Sequence, residues 1–265
     1  MNYDALKQRL TAAHDIAKEV GRFLVANQAG DIGTSAKGRG DLVTAMDLES
    51  ERQIKEFLHS TFPEDNFLGE EMGFERYGDG GTWVIDPIDG TSNYVNGLPG
   101  YTISIGYEIE RWKPVLGVVY DPVLDEIFYA SKGGGAFFQG RPMHCSEKTD
   151  YRQSIAFTSP PMRYLDYMDD FCTIWSAVTP KVGEYRDYGS AALHLAYVAA
   201  GRGDLFFEFS LQYHDMAAGK ILVEEAGGVL SPIFVNNKGS FSGSIIASPL
   251  NTHATYIEIL QIDNN

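Results

Sequence analysis

The pattern of hydrophobic and polar residues predicts two amphipathic helices in the first part of the chain. Apolar residues recur at intervals of three and four from Leu6 to Leu24, which favours one long helix over residues 4–27. Residues 30–42 are rich in Gly, Ser and Lys and predict an exposed loop. The second helix is expected over residues 47–59, and its apolar side chains expected to face the core are Leu48, Ile54, Phe57 and Leu58.

Short apolar runs between turns predict a series of strands in the middle of the chain. The expected strands cover residues 66–69, 83–85, 102–109, 114–120, 126–130 and 136–139. Strands that follow one another through short turns are expected to pair, and together with the leading helices they are typical of an α+β arrangement.

Beyond Lys148 the pattern changes to alternating strands and helices. Strands are expected at 153–157, 183–187, 204–208, 229–235 and 244–247, and helices at 164–176, 189–201, 215–226 and 251–261. Such alternation is typical of an α/β arrangement. No linker rich in Pro and Ser separates the two patterns, so we expect two stacked lobes, an N-terminal α+β lobe of residues 1–148 and a C-terminal α/β lobe of residues 149–265.

The composition is that of an ordinary soluble globular protein, with a formal net charge of −15 over 265 residues. This excess of acids argues against nucleic acid or an anionic membrane as a direct partner. The two cysteines, Cys145 and Cys172, predict neither a disulfide framework nor a zinc cluster, and a reducing cytoplasm is the expected compartment. We expect no signal peptide and no membrane-spanning segment, since no apolar stretch approaches the roughly 20 residues that span a bilayer.

The most informative segment is residues 83–92, which read WVIDPIDGTS. An apolar strand leads directly to two carboxylates, Asp86 and Asp89, which would repel each other unless a cation lay between them. Carboxylate oxygens suit Mg²⁺ or Mn²⁺. The small residues from Gly90 to Ser92 leave backbone N–H groups for an anion. The segment therefore predicts a metal and phosphate site.

Three other acidic groups stand beside small residues near the ends of predicted elements: Asp41 with Asp47, Glu70 with Glu71, and Asp215. Taken singly, each has an ordinary structural explanation. Asp47 and Asp215 could each cap a helix, and the Glu70-Glu71 pair could be a solvated turn.

Together these segments resemble the inositol monophosphatase family. The resemblance rests on Asp41-Leu42-Val43-Thr44 with Asp47, Gly69-Glu70-Glu71, the run 83–91, Gly189-Ser190-Ala191-Ala192, Asp215 with Ala217-Ala218-Gly219, and Glu225-Ala226-Gly227-Gly228. These motifs follow in order over nearly the whole chain. The resemblance implies a layered α-β-α-β-α sandwich of the inositol monophosphatase and fructose bisphosphatase type, and a homodimer.

The resemblance also implies a Mg²⁺-dependent phosphomonoesterase with two or three metal ions. Glu70, Asp86 and the carbonyl of Ile88 would hold the first ion. Asp86, Asp89 and Asp215 would hold the second, with Asp86 bridging, and a third ion would rest on Glu70 and water. Mn²⁺ is a possible substitute for Mg²⁺, whereas Ca²⁺ and Li⁺ are expected to inhibit.

By the same resemblance, a water molecule activated by metal attacks phosphorus in line. Glu70 would orient the water, and Thr91, hydrogen-bonded to Asp47, would accept or relay its proton. Glu208 matches a position that binds a polyol hydroxyl, although it could also be an ordinary acid at a strand end. The full set of implied substrate contacts is Asp89, Gly90, Thr91, Ser92, Gly189, Ser190, Ala191, Glu208 and Asp215. The expected partner is a small phosphate monoester, with inositol monophosphate as the first candidate.

Two residues depart from the family pattern and leave the substrate open. His214 stands where the family commonly has tryptophan. Lys37 lies one residue closer to Asp41 than the family's mobile-loop lysine, so we assign it no role. Histidinol phosphate, a sugar bisphosphate, phosphoadenosine phosphate and NADP remain alternatives for the same chemistry. The non-enzymatic alternative is a regulatory or scaffold protein that retains the fold.

Two other classes of protein fit the sequence poorly. The run Asp86-x-x-Asp89-Gly90 superficially resembles a calcium loop, but an EF-hand needs a glutamate at loop position twelve, where Gly97 stands. The glycines at 133–135 lack the strand-turn-helix frame of a dinucleotide-binding loop. The chain also has no G-x-S-x-G motif that would supply a serine nucleophile.

Overall fold

The structure is a computed structural model that describes residues 3–28, 33, 35–38, 41–233 and 243–260. Within these residues the chain forms seven α-helices, which are α1 (Tyr3–Asn27), α2 (Ala45–Thr61), α3 (Thr91–Val95), α4 (Met168–Val178), α5 (Ala191–Ala199), α6 (Tyr213–Glu225) and α7 (Leu250–Ile259). Six of them correspond to expected helices, and only the short α3 was not expected. In this described part of the chain, none of the helices is both long and apolar enough to cross a membrane.

The same residues form fifteen strands. They are β1 (Ser35–Gly38), β2 (Asp41–Val43), β3 (Asn66–Gly69), β4 (Gly73–Glu75), β5 (Thr82–Asp89), β6 (Thr102–Glu110), β7 (Lys113–Asp121), β8 (Glu126–Ser131), β9 (Gly135–Phe138), β10 (Arg141–Pro142), β11 (Ile155–Phe157), β12 (Glu184–Arg186), β13 (Leu205–Glu208), β14 (Gly228–Pro232) and β15 (Ile245–Pro249). Every expected strand has a counterpart among them. The largest difference is in β5, which continues past Ile85 to Asp89.

Two large sheets organise these strands. The eight-stranded sheet has the order β10-β9-β8-β7-β6-β5-β3-β4, and its pairs are antiparallel except for β3 with β5. The five-stranded sheet has the order β12-β11-β13-β15-β14. In that sheet β11 is parallel to both neighbours, whereas β15 is antiparallel to both of its own.

Helices and sheets alternate in five layers. α1 and α2 pack on one face of the eight-stranded sheet, α5 and α6 lie between the two sheets, and α4 and α7 cover the far face of the five-stranded sheet. The expected α-β-α-β-α sandwich is confirmed. The division into lobes at residue 148 stays a prediction.

The expectation of a loop over residues 30–42 is partly wrong. β1 and β2 form an antiparallel pair in which Ala36 lies opposite Leu42. The Gly, Ser and Lys content predicted a loop wrongly, because two strands can pair through backbone N–H and C=O groups whatever their side chains are. Residues 30–32, 34, 39 and 40 of this expectation lie outside the described residues.

Two of the side chains expected to face the core from α2 are exposed instead. Leu48 is 48% exposed and Phe57 is 36% exposed, whereas Ile54 is fully buried. The buried face of α2 includes Asp47 and Glu51. The helix is therefore rotated about its axis relative to the orientation that apolar residues alone predict. The reason is that these two acids have hydrogen-bond partners in the interior, which lets a polar stripe be buried.

A pair of glycines lets α6 approach the eight-stranded sheet closely. Gly106 of β6 lies directly opposite Gly117 of β7, and a β-carbon added at Gly117 would stand 2.6 Å from the backbone oxygen of Ala218. Larger side chains at this position would push α6 outward. The close contact brings Asp215, in the first turn of α6, near the end of β5.

Candidate functional site

Acidic side chains from three elements meet at one end of β5. Asp86, Asp89 and Asp215 each offer a carboxylate oxygen, and these atoms all lie within 4.8 Å of one another. Glu70, Asp86 and a ring nitrogen of His214 form a second group that meets the same limit. The two groups share Asp86, so the structure brings together the five side chains of one continuous donor cluster.

A bulge in β5 turns both of its aspartates to the same side. Asp86 pairs with Ser104 of β6. Three residues further along β5, Asp89 pairs with Thr102, only two residues away on β6. Residues three apart point to opposite faces of a regular strand, and the extra residue of a bulge corrects this. Pro87 suits the irregular stretch because it has no N–H group to lose from the ladder.

The electrostatics of the cluster fit a bound divalent cation. Asp86 is 1% exposed. Its pKa is raised well above the usual range by burial and by the charges of Glu70, Asp89 and Asp215. Burial and the charge of Asp215 raise the pKa of Asp89 to about 7. Because a cation would stabilise all of these ionised forms, and because the donors are mainly carboxylate oxygens, Mg²⁺ or Mn²⁺ suits the cluster.

Asp89 is held by the beginning of α5. The hydroxyl of Ser190 and the backbone N–H of Ala192 both donate to its Oδ2 atom at 2.6 Å. The Ser190 hydroxyl also accepts from the N–H of Leu193 at 3.1 Å and so caps α5. Ser190 was predicted as a substrate contact, but its buried hydroxyl is engaged in positioning Asp89. A substrate role for its backbone stays a prediction.

The structure places Thr91 beside Asp47, as expected. The hydroxyl oxygen of Thr91 is 3.3 Å from Oδ1 of Asp47 and 3.1 Å from the carbonyl oxygen of Ile88. The other oxygen of Asp47 accepts the N–H and O–H of Thr44 at 2.7 and 2.6 Å. Asp47 has no exposed surface, and burial raises its pKa. These hydrogen bonds hold the Thr91–Asp47 pair in a fixed position next to Ile88 of β5.

Glu51 supports the turn that carries Glu70. Its side chain is 1% exposed, and its two oxygens accept the backbone N–H groups of Glu71 and Met72 at 2.8 and 2.9 Å. A β-carbon at Gly69 would collide with this carboxyl group at 1.9 Å, so glycine is needed there for Glu51 to reach the turn. Sequence reasoning missed Glu51.

A cleft of about 290 Å³ opens beside the cluster. Of the predicted residues, those that line it are Asp89, Gly90, Thr91, Ser92, Gly189, Ala191, Glu208 and Asp215. Arg163 also lines the cleft and adds a positive charge that the sequence gave no reason to place there. The cleft thus combines two carboxylates of the cluster, Asp89 and Asp215, with the backbone turn at Gly90 and the cationic side chain of Arg163.

A buried histidine lies behind Glu208. Nε2 of His194 accepts the N–H of Tyr188 at 2.9 Å, which leaves the ring proton on Nδ1. That Nδ1 atom is 3.9 Å from Oε2 of Glu208, and neither atom has a hydrogen-bond partner among the residues that the structure describes. Burial lowers the pKa of His194 to about 4 and raises that of Glu208 well above its usual range. Because Glu208 also lines the cleft, its carboxyl group is placed to exchange a hydrogen bond with a ligand hydroxyl.

Two residues singled out in the sequence cannot be placed, and two residues near the site were not predicted from it. The side chains of Asp41 and Lys37 lie outside the described part of the chain. Glu51 follows Asp47 by one helical turn, and two acids on the buried face of a helix are a readable signal. His194 offered no signal, because Glu208, which lies near it, comes from another element.

Comparison with known proteins identifies the family of the chain. A model of the inositol monophosphatase family matches residues 5–263. The chain belongs to the inositol monophosphatase family. The match confirms the resemblance found in the sequence, and membership of the inositol monophosphatase family supports a phosphatase without identifying the substrate.

Relatives in the inositol monophosphatase family carry two kinds of name. A Thermotoga maritima protein named fructose-1,6-bisphosphatase/inositol-1-monophosphatase is 36% identical over 254 residues, which cover 95% of each chain. An Escherichia coli protein named Nus factor SuhB is 36% identical over 241 residues, which cover 90% of each chain.

Solved structures of the inositol monophosphatase family share the fold. Extragenic suppressor protein suhB from Bartonella henselae superposes with a TM-score of 0.89 at 33% identity, covering 96% of this chain and 98% of that one. A Thermotoga maritima IMPase gives a TM-score of 0.84 at 35% identity, covering 96% of this chain and 97% of that one.

We predict that Glu51→Gln weakens both the fold and the cation site. An amide keeps one acceptor oxygen but places its NH₂ group against a backbone N–H, so one buried hydrogen bond is lost. We expect the free energy of unfolding to fall by about 1–3 kcal/mol and Mg²⁺ affinity to fall with it. Urea denaturation and calorimetric Mg²⁺ titration measure the two effects.

Glu49→Gln is the matched control, since Glu49 lies on the same helix and pairs with Arg52 at the surface. Its effect on unfolding should stay below about 1 kcal/mol, with Mg²⁺ affinity unchanged. Equal small effects at both positions would contradict the role given to Glu51.

Proposed function

We propose that the chain is a Mg²⁺-dependent phosphomonoesterase that hydrolyses a small polyol phosphate, with inositol monophosphate as the main candidate. The observation that carries the proposal is the pair of donor groups sharing Asp86, next to the Thr91–Asp47 pair and beside the cleft that Asp89, Thr91 and Asp215 line. These are the parts that metal-assisted hydrolysis of a phosphate ester requires. Family membership supports the reaction class.

The residues that would hold Mg²⁺ are those of the donor cluster. Glu70, Asp86 and the carbonyl of Ile88 would hold one ion, and Asp86, Asp89 and Asp215 a second. When bound, divalent cations lower the pKa of water and neutralise charge on the phosphate. Two or three Mg²⁺ ions, replacement by Mn²⁺, and inhibition by Ca²⁺ and Li⁺ form part of the proposal.

Thr91 and Asp47 would handle the proton of the attacking water. The Thr91 hydroxyl can accept that proton while its own moves toward Asp47, whose Oδ1 lies 3.3 Å away. Glu70 would orient the water. Burial raises the pKa of Asp47, so its carboxylate takes up or shares this proton more readily than an exposed aspartate would.

The first amides of α3 would bind the phosphate. The backbone turns at Gly90, whose φ of 98° is accessible to glycine at little cost. The N–H groups of Thr91 and Ser92 lie in the first turn of α3, where they have no partner within the helix. Arg163 lines the same cleft and favours an anionic ligand.

Glu208 would select the alcohol that leaves. Its carboxyl group lines the cleft beside Gly189 and Ala191 and can accept a hydrogen bond from a polyol hydroxyl. Histidinol phosphate, a sugar bisphosphate, phosphoadenosine phosphate and NADP are the alternatives that share the chemistry. The name of the Thermotoga maritima relative favours the sugar bisphosphate among them.

A regulatory role is the second candidate function, because several relatives are named Nus factor SuhB. The net charge of −15 disfavours direct contact with a nucleic-acid backbone, so we propose a small phosphate ester as the primary partner. A cytoplasmic homodimer completes the proposal.

Asp89→Asn tests the reaction directly. The amide oxygen can still accept the hydrogen bonds of Ser190 and Ala192, so the fold should be kept, but one charged metal donor is lost. We expect kcat/KM for phosphate release from inositol monophosphate to fall by at least about a hundredfold. The wild-type rate should itself require Mg²⁺ and vanish with a chelator.

Asp121→Asn is the control, because Asp121 is also an aspartate at the last position of a strand in the same sheet, and its Oδ1 atom likewise accepts backbone N–H groups. Its activity should stay near that of the wild type. If Asp89→Asn were equally active, or if no ester among inositol, sugar and nucleotide phosphates were hydrolysed, the phosphatase proposal would fail and the regulatory role would gain support.

Glu208→Gln tests the assignment of the substrate's polyol half. The substitution replaces one of the two carboxyl oxygens with an NH₂ donor. A polyol hydroxyl group that donates to that oxygen loses its acceptor, which should lower kcat/KM for inositol monophosphate by about tenfold or more. The rate with p-nitrophenyl phosphate, which has no hydroxyl group, should change little and keep the same Mg²⁺ dependence. A parallel loss on both substrates would remove Glu208 from substrate selection.

A further inference from the structure

His214 is part of the donor cluster although it is not a carboxylate. One of its ring nitrogens lies within 4.8 Å of a carboxylate oxygen of Glu70 and of one from Asp86. Its side chain is only 15% exposed, so the ring faces the interior of the site. The neighbouring residue, Asp215, belongs to the other donor group.

The three donors are held in place by the backbone. The N–H of Glu70 donates to the carbonyl oxygen of Ile85 at 3.1 Å, which ties the turn to the strand that carries Asp86. His214 lies in the first turn of α6, and its carbonyl oxygen is contacted by the hydroxyl of Ser104 at 3.4 Å. The backbone that carries Glu70 and His214 is therefore tied to β5 and β6.

The distances suit a common cation. Transition-metal ligands lie about 2.0–2.2 Å from the ion, so two ligands on opposite sides are separated by about 4.2 Å. Donor atoms within 4.8 Å of one another reach that spacing with shifts of a few tenths of an ångström.

The two groups differ in chemical type. Asp86, Asp89 and Asp215 offer oxygen alone, which suits hard Mg²⁺. Glu70 and Asp86 with His214 add an imidazole nitrogen, which suits Mn²⁺, Co²⁺ or Zn²⁺ better than Mg²⁺. Neighbouring ion positions that share one bridging carboxylate would thus have different preferences.

We propose that His214 is a nitrogen ligand of the cation held by Glu70 and Asp86, and that it makes this position selective for a transition metal over Mg²⁺. The proposal rests on the metal site of the proposed function but not on any substrate. Binding of the metal alone is therefore its test, separate from phosphatase activity.

The first measurement is pulsed electron paramagnetic resonance on the full chain loaded with Mn²⁺. Nitrogen bound to Mn²⁺ gives a hyperfine coupling that changes when the histidines are labelled with ¹⁵N. We expect this coupling in the wild type, and its isotope shift identifies histidine without any mutation. Its absence from wild-type protein saturated with Mn²⁺ would overturn the proposal.

The second measurement compares Co²⁺ and Mg²⁺ affinities by calorimetry for the wild type and His214→Gln. We expect Co²⁺ affinity to fall by about tenfold or more, Mg²⁺ affinity to change by less than about threefold, and the nitrogen coupling to disappear. Equal losses for both ions would mean that His214 only supports Asp215, and would overturn the selectivity.

His14→Gln is the matched control. His14 also precedes an aspartate on a helix, with its Nδ1 atom 3.1 Å from Asp15, but it lies on the surface of α1. Its substitution should leave both affinities and the coupling unchanged. If the coupling is present while no phosphate ester is hydrolysed, the proposed function fails and the metal assignment stands. If hydrolysis with Mg²⁺ is normal but the coupling is missing, only the metal assignment fails.

Discussion

Mutual repulsion among carboxylates held close together is the constraint on which the site depends. Folding brings Asp86, Asp89 and Asp215 to within 4.8 Å, with Asp86 buried and the other two partly exposed. Burial, together with the charges of the neighbouring carboxylates, raises the pKa values of Asp86 and Asp89. The protein offsets part of this repulsion with hydrogen bonds. Asp89 accepts two of them from α5, and Asp215 accepts the N–H of Gln212 at 2.6 Å. The remaining repulsion is what a cation would relieve.

Several elements of the layered fold are needed to bring the donor cluster together. The bulge in β5 turns Asp86 and Asp89 to one side, the paired glycines of β6 and β7 admit α6 with Asp215, and the start of α5 holds Asp89. Each of these features comes from a different element. The donor atoms therefore come close to one another only when α5 and α6 are packed on the eight-stranded sheet. The same arrangement opens the cleft in which Glu208 can meet a ligand.

Much of the fold could be predicted from the sequence, and the acids of residues 83–92 could be recognised as a metal site from their own order. Periodicity located α1 and six strands of the eight-stranded sheet because those elements bury apolar side chains. It did not locate β4 and β10, which are short and carry no fully buried residue. It failed for Leu48 and Phe57, because the buried side of α2 carries Asp47, bonded to Thr44 and Thr91, and Glu51, bonded to a distant turn. The spacing of Asp47 and Glu51 along α2 marks Glu51 as a candidate, but it does not reveal its partners, the N–H groups of Glu71 and Met72. Those contacts and the approach of His194 to Glu208 are tertiary and are contained in no local pattern.

Thermal unfolding of metal-free and Mg²⁺-saturated protein from about pH 5 to about pH 8 tests the central claim most directly. The folded state raises the pKa of Asp89 to about 7, whereas the unfolded chain has a value of about 3.9. Between these values the folded, metal-free protein binds a proton that the unfolded chain has released, so its stability should fall as the pH rises. Saturating Mg²⁺ should raise the Tm most at the upper end of the range and remove the fall. Parallel pH profiles with and without Mg²⁺ would contradict the account, because they would show no repulsion for a cation to relieve.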